Sequence, residues 1–168
     1  MRHVSLAAMP CPIARTLDLV GEWWTLLLIR DALLGARRFE DFKKTGIAEN
    51  ILTVRLKKLT EAGIFERRLY QSRPDRYEYA LTERGRELAP VVFALRAWGR
   101  RWTEGADQSE IRHADCGGDV VLGFHCTKCD RQLRKTEIAI APRPQNPSKN
   151  LKANMKRERR SKRPASTR

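Results

Sequence analysis

Two pairs of side chains with metal-ligand chemistry each stand three residues apart, His113 with Cys116 and Cys126 with Cys129, and nine residues lie between Cys116 and Cys126. Three thiolates and one imidazole at that spacing suit a tetrahedral Zn²⁺, each pair supplying one knuckle. Gly117 and Gly118 allow a tight bend after the first pair, and Val120 to Phe124 is a β-prone run leading to the second. Asp130 stands where a glycine commonly follows the second cysteine of a knuckle, which makes that turn harder to close. His125 adjoins Cys126 and is the poorer ligand for that reason. Four ligands would close the site, so the expected zinc is structural, with no other cofactor required. The competing expectation is a metal-free hairpin with vestigial or redox-active thiols.

Catalysis finds little support elsewhere. There is no phosphate-cradling glycine loop and no Ser/His/Asp set, and of three histidines one, His3, lies in the short N-terminal stretch. The fourth cysteine, Cys11, precedes Pro12 at the head of an expected helix, a position that suits a reactive thiol. No secretory signal or membrane span is visible, since the most apolar run, Trp23 to Ile29, is seven residues long between Glu22 and Arg30. Reduced thiols or metal ligands in a cytoplasmic protein are therefore expected.

A second set of side chains has the chemistry to read a polyanion. Between Gly46 and Gly63, Ile47, Leu52, Leu56 and Leu59 recur at helical spacing, leaving Glu49, Asn50, Thr53, Lys57 and Lys58 on other faces. Asn can bond adenine bidentately, Glu can accept from cytosine, and Thr53 or Val54 can touch a thymine methyl, so Glu49, Asn50, Thr53 and Lys57 are the base-contact candidates. Arg37, Arg38, Lys58, Arg73 and Arg76 suit phosphate, where charge matters more than geometry.

The elements that must position these groups follow from patterning. Phe39 to Gly46 reads as a short helix ahead of the amphipathic one, giving a helix-turn-helix. Runs at 64–70 and 77–81 read as strands, with Pro74 and Asp75 in a turn flanked by Arg73 and Arg76. A basic hairpin after a helix-turn-helix is a winged helix, one helix entering the major groove and the hairpin lying along the backbone. Upstream, Pro12 opens a helix carrying Ile13, Leu17 and Val20, and Glu22 to Leu34 forms a core helix in which Trp23 and Trp24 should bury the most surface. After the hairpin, Thr82 can cap a further helix, with Leu88, Val92, Leu95, Trp98 and Trp102 on one stripe and a kink or fresh start at Pro90. Two tryptophans on that stripe exceed what a small core needs, so the Cys11–Leu19 and Arg86–Trp102 helices are expected to form a homodimer interface. A small-molecule effector, its identity unknown, would lie in a cleft between the wing and the last helix.

Formal charge is +14, but residues 143–168 hold ten Lys/Arg and one Glu, a net of 10 − 1 = +9, leaving +5 for the remainder. Prolines at 142, 144 and 147 mark a linker, and the tail beyond it is almost without apolar content, so disorder and weak non-specific attraction to nucleic acid are expected.

The run from Cys11 to Gly35, then Arg38-Phe39, Gly46-Ile47, Leu52, Arg55-Leu56, Leu59, Gly63, Tyr79 to Thr82 and Gly85, resembles the HxlR-type winged-helix transcriptional regulators of bacteria over about residues 9–104. The resemblance implies homodimers that bind double-stranded operator DNA and repress or activate nearby genes. In some members it also implies redox sensing through a cysteine near the first helix, here Cys11. Two positions depart from the family pattern: Glu22, where a Gly-Lys or Gly-Arg pair usually precedes the tryptophan, and Ala48, where a serine usually caps the reading helix.

The expected fold class is α+β, a winged helix-turn-helix with a small C-terminal cysteine-rich appendage and a basic tail. Its divisions are 9–104 for DNA binding and dimerisation, 112–140 for a zinc-ribbon-like unit with ligands His113, Cys116, Cys126 and Cys129, and 141–168 for the tail. The expected function is sequence-specific, repressor-like regulation by a homodimer on DNA, with no membrane partner and no enzymatic activity. The alternative is a non-specific nucleic-acid-binding module using the cysteine unit and tail, distinguished by equal binding to operator and random duplex.

Overall fold

The computed structural model describes residues 5–105 and 110–140. The chain forms two compact units, Met1–Leu122 and Gly123–Arg168. The division falls inside the expected 112–140 appendage, leaving His113 and Cys116 in the first unit and Cys126 and Cys129 in the second. The expected basic tail lies outside the described residues.

In the first unit, helix α1 (Pro12–Val20) starts on its proline and ends at Gly21, whose N–H donates to Leu17 O at 2.8 Å. A Cβ at Gly21 would meet that oxygen at 2.5 Å, so the close approach requires glycine there. Helix α2 (Trp23–Leu33) is the spine of the core, with Leu28 and Ile29 fully buried. Trp24 packs against the core, but Trp23 is 85 % exposed, contrary to the expectation that both would be buried. Thr25, Leu28, Ile29 and Ala32 define the buried side of α2, and at about 100° per residue Trp23 falls on the opposite side.

Helices α3 (Phe39–Lys43) and α4 (Glu49–Glu61) form the helix-turn-helix, joined through Gly46 at φ +85°. Ile47, Leu52, Leu56 and Leu59 are all buried, as their spacing requires. They join Phe42, Ile64, Phe65, Leu81 and Val92 in one core, with the Phe42 and Phe65 rings edge to face at 5.9 Å.

Strands β1 (Phe65–Ser72) and β2 (Asp75–Leu81) are longer than their apolar runs and pair antiparallel from Phe65 with Leu81 to Ser72 with Asp75. Only Arg73 and Pro74 remain at the tip, and the register shifts between Leu69 and Gln71. The segment before α3 adds to the outer edge of β2: Arg38 bridges Glu78, and Tyr79 N–H donates to Arg37 O at 2.7 Å. The wing is therefore rooted in the start of the helix-turn-helix.

Thr82 Oγ1 accepts from Gly85 N–H at 3.1 Å and caps the short helix α5 (Glu83–Arg86). Helix α6 (Ala89–Trp102) begins anew around Pro90, which sits in its first turn where no helical N–H is needed. The expected apolar stripe divides: Val92 is buried and Leu88 packs on the core, whereas Leu95, Trp98 and Trp102 are 51 %, 61 % and 63 % exposed.

The second unit contains strands β3 (Phe124–Cys126) and β4 (Arg131–Leu133), paired antiparallel, and a 3₁₀ turn at Lys135–Glu137. Glu137 accepts from Arg134 N–H and from Arg131, both at 2.8 Å, and these bonds hold its carboxyl below the usual range, that of Arg131 contributing most. None of the described residues in this unit is buried.

Candidate nucleic-acid interface

Leu52, Leu56 and Leu59 occupy one side of α4, so helical geometry directs Asn50, Val54 and Lys57 to the other, with Thr53 and Lys58 on its flanks. All five are exposed. Thr53 donates its hydroxyl to Glu49 O at 2.8 Å, which leaves the methyl and an oxygen lone pair facing outward. Lys57 lies 3.9 Å from Glu61, a loose exposed pair that offers little resistance to a competing phosphate.

Glu49 is committed differently from the other candidates. Its carboxylate pairs with Lys43 on α3, and that hydrogen bond raises the lysine's pKa. Glu49 thus bridges the two helices at the first turn of α4, where an acidic group also complements the helix dipole. Ala48 occupies the N-cap with extended backbone and no side-chain cap, so the bridge is the nearest substitute for the missing hydroxyl.

The arginine candidates separate in the same way. Arg37 folds back, its guanidinium donating to Ala32 O at 3.0 Å and Ala36 O at 3.2 Å, and thereby closes the end of α2. Arg38 stacks 4.7 Å over the Tyr70 ring. Both backbone N–H groups are held by Asp41 Oδ2, Arg37 at 3.2 Å and Arg38 at 3.0 Å. Those bonds, that of Arg38 foremost, lower the Asp41 pKa. Arg73 and Arg76 at the hairpin tip are exposed and make no ion pair among the described residues. Lys58 is equally unencumbered.

Sequence reasoning missed three participants. Arg67 stacks 3.3 Å over the Tyr77 ring, a diagonal cross-strand contact that becomes visible only with the register of Arg67 opposite Tyr79. Glu22, the departure from the family pattern, pairs at 2.8 Å with Arg55, whose side chain is 17 % exposed. Its acidity therefore has a partner on the reading helix, tying the start of α2 to α4. Asp41 was invisible as a clamp because its targets are backbone groups.

Cys11 is a free, half-buried thiol at the N-cap of α1. His113 Nδ1 lies 3.1 Å from Cys116 Sγ. In the second unit, the N–H and thiol of Cys129 and the N–H of Lys128 hydrogen-bond Cys126 and hold its thiol below the usual range, the N–H of Cys129 contributing most. Among the described residues, no three His, Cys, Asp or Glu side chains stand together as a set that could hold a metal ion. A cavity of about 630 Å³ lies between α2 and α6, with Leu26, Leu33 and Phe93 on its walls and Arg30 and Arg112 among its polar groups; the wing takes no part in it. No helix of the described residues is long and apolar enough to cross a membrane.

A two-helix motif whose second helix turns a polar face outward, followed by a rooted hairpin with cationic tip, defines a winged helix-turn-helix DNA-binding protein. The model of the HxlR-like helix-turn-helix family matches residues 19–107, and the chain belongs to that family. It is a DNA-binding transcriptional regulator and not an enzyme. The uncharacterized HTH-type transcriptional regulator Rv3095 of Mycobacterium tuberculosis is 38 % identical over 135 residues, covering 79 % of this chain and 85 % of that one. The uncharacterized HTH-type transcriptional regulator YdeP of Bacillus subtilis is 35 % identical over 102 residues, covering 60 % and 80 %. Among solved structures, the crystal structure of PA1607 superposes with TM-score 0.71 at 34 % identity, over 83 % of this chain and 100 % of that one. The redox regulator HypR in its oxidized form gives TM-score 0.53 at 35 % identity, over 56 % and 100 %.

Proposed function

We propose that this protein is a sequence-specific regulator that binds double-stranded operator DNA as a homodimer and represses by occupying its site. The outward face of α4 carries the reading. Asn50, Thr53, Val54 and Lys57 meet base edges in the major groove, while Glu49 holds the helix-turn-helix and contributes to bases less than its position in the sequence suggests. Arg73, Arg76 and Lys58 engage phosphate, and Arg38 does so from its place over Tyr70. Arg37 serves the end of α2 instead.

Dimerisation is supported by apolar surface that the single chain leaves uncovered. Ile13 and Leu17 on α1 are 71 % and 47 % exposed, and Val91, Leu95, Trp98 and Trp102 recur along one side of α6. Contiguous apolar surface of this kind marks an interface. A two-fold pairing would present two reading helices to half-sites about 34 Å apart.

The test is binding of the full chain to its own upstream intergenic DNA and to scrambled duplex at one fixed salt concentration. A preference of about 10³-fold is expected, with Asn50→Ala relaxing it at a single base position by about 1–3 kcal/mol. Equal affinity for both duplexes would refute the reading and support a non-specific nucleic-acid-binding module.

A further inference from the structure

We propose that the groove between α2 and α6 is a binding site for a small apolar acid, an aromatic or aliphatic molecule carrying a single carboxylate. All of its lining residues lie within the Met1–Leu122 unit. Its volume, about 630 Å³, is that of an ordinary small-molecule pocket. Leu26 and Leu33 from α2 and Phe93 from α6 give it apolar walls. Covering such surface is the main source of affinity for a ligand of this size.

Charge narrows the class. Four of the lining side chains are arginines and two are glutamates. Arg30, in the last turn of α2, grips Asp31 Oδ1 with Nε at 2.8 Å and Nη2 at 2.7 Å. Its Nη1 makes no hydrogen bond among the described residues, which leaves that edge of the guanidinium for an anion. Arg112 is committed on both sides, Nε to Glu110 Oε2 at 2.7 Å and Nη1 to Gly117 O at 3.2 Å, and adds a fixed positive charge to the wall. A single carboxylate answers the excess of arginine. The glutamates repel a second charge, so a phosphate ester fits less well than a carboxylate.

The wall that the chain contributes after α6 is a closed turn. Val120 N–H donates to Ile111 O at 3.3 Å, His113 N–H donates to Gly118 O at 2.8 Å, and Arg112 bridges Asp119. Ile111 and Arg112 therefore reach the groove from hydrogen-bonded backbone. The groove also lies apart from the dimer interface proposed above. Arg96 and Arg100 stand two residues to either side of Trp98, and at about 100° per residue they fall on the far side of α6 from it. Leu95 is the one residue of the dimer stripe among those lining the groove. A partner docked on that stripe leaves the groove to a small ligand.

As the seat of an effector the groove rests on the regulatory reading, but its occupancy is tested without DNA, so the two can fail separately. Isothermal titration calorimetry of the full chain with 1-naphthoate is expected to give one site per chain with a Kd below about 1 mM. The neutral 1-naphthylmethanol should bind at least about tenfold more weakly, the worth of a charge-assisted hydrogen bond. Arg30→Met should weaken the acid by about tenfold and leave the alcohol unchanged, and a folded variant that binds the acid as the wild type does would overturn the proposal. Because that variant leaves Asp31 without its partner and can lose stability, the wild-type protein also decides. No binding of 1-naphthoate at millimolar concentration, as a groove filled by a second copy would give, equal affinity for acid and alcohol, or tighter binding of 1-naphthyl phosphate than of 1-naphthoate would each overturn it.

Discussion

Arg73 and Arg76 flank the tip of the wing, exposed and without ion pairs among the described residues, so their removal should change DNA affinity without disturbing the core. Each arginine that neutralises a phosphate releases counterions worth a slope of about −0.9 in log affinity against log salt. A dimer carries four such side chains, so the double variant R73A/R76A should have a slope shallower by about 3.6. Between 50 and 200 mM salt, a fourfold change, the ratio of wild-type to variant affinity should therefore fall by about two orders of magnitude. A single winged helix on DNA would give about half that slope difference, so the same titration reports stoichiometry. The assay is fluorescence anisotropy on operator duplex and on scrambled duplex at five salt concentrations. The loss should be the same on both, because phosphate carries no sequence. Parallel slopes for wild type and variant would refute the placement of these arginines on the backbone.

Three further outcomes follow from the same geometry. Ala48→Ser should supply the missing N-cap hydroxyl on α4, stabilising the first unit by about 1 kcal/mol, seen as a rise in Tm of about 4 °C. Asp41→Asn should be destabilising at neutral pH. The Asp41 pKa is lowered on folding from 3.8, so its contribution is complete above that value and disappears as pH falls through the folded one. Urea midpoints of wild type and D41N should accordingly draw together as pH falls below 3.8; a gap that stays undiminished all the way down would show that Asp41 does not act through its charge. Trp98→Asp should leave the helix content unchanged and convert a dimer to monomers in sedimentation, and a dimer surviving this change would exclude α6 from the interface.

The reading helix was legible because burial imposes a period: Ile47, Leu52, Leu56 and Leu59 could face only one way. The hairpin was legible from Pro74 and its neighbours, although its strands extend past the apolar runs, since backbone pairing continues where side chains are polar. Trp23 was misjudged because size and apolarity say nothing about which side of α2 a residue occupies; the turn position does. Arg37 was nominated for phosphate by charge and Glu49 for bases by its place at the start of the helix, and their partners within the chain, the end of α2 and Lys43, come from folding rather than from composition. Asp130 looked unfavourable for a tight turn, yet the bond from its N–H to the Cys126 carbonyl holds it in the left-handed region.

The bridge of Arg37-Arg38 onto the edge of β2 joins the wing to the first turn of the helix-turn-helix, and Asp41 fastens both arginine N–H groups on the other side. On the proposed placement the protein would meet a duplex as a calliper with its jaws already set. These bonds would hold the gap between a major-groove helix and a backbone-gripping wing before binding, so that a mismatch in groove width would be met by bending the DNA. Sequences that deform cheaply at the right steps would then be preferred at base pairs that no side chain touches.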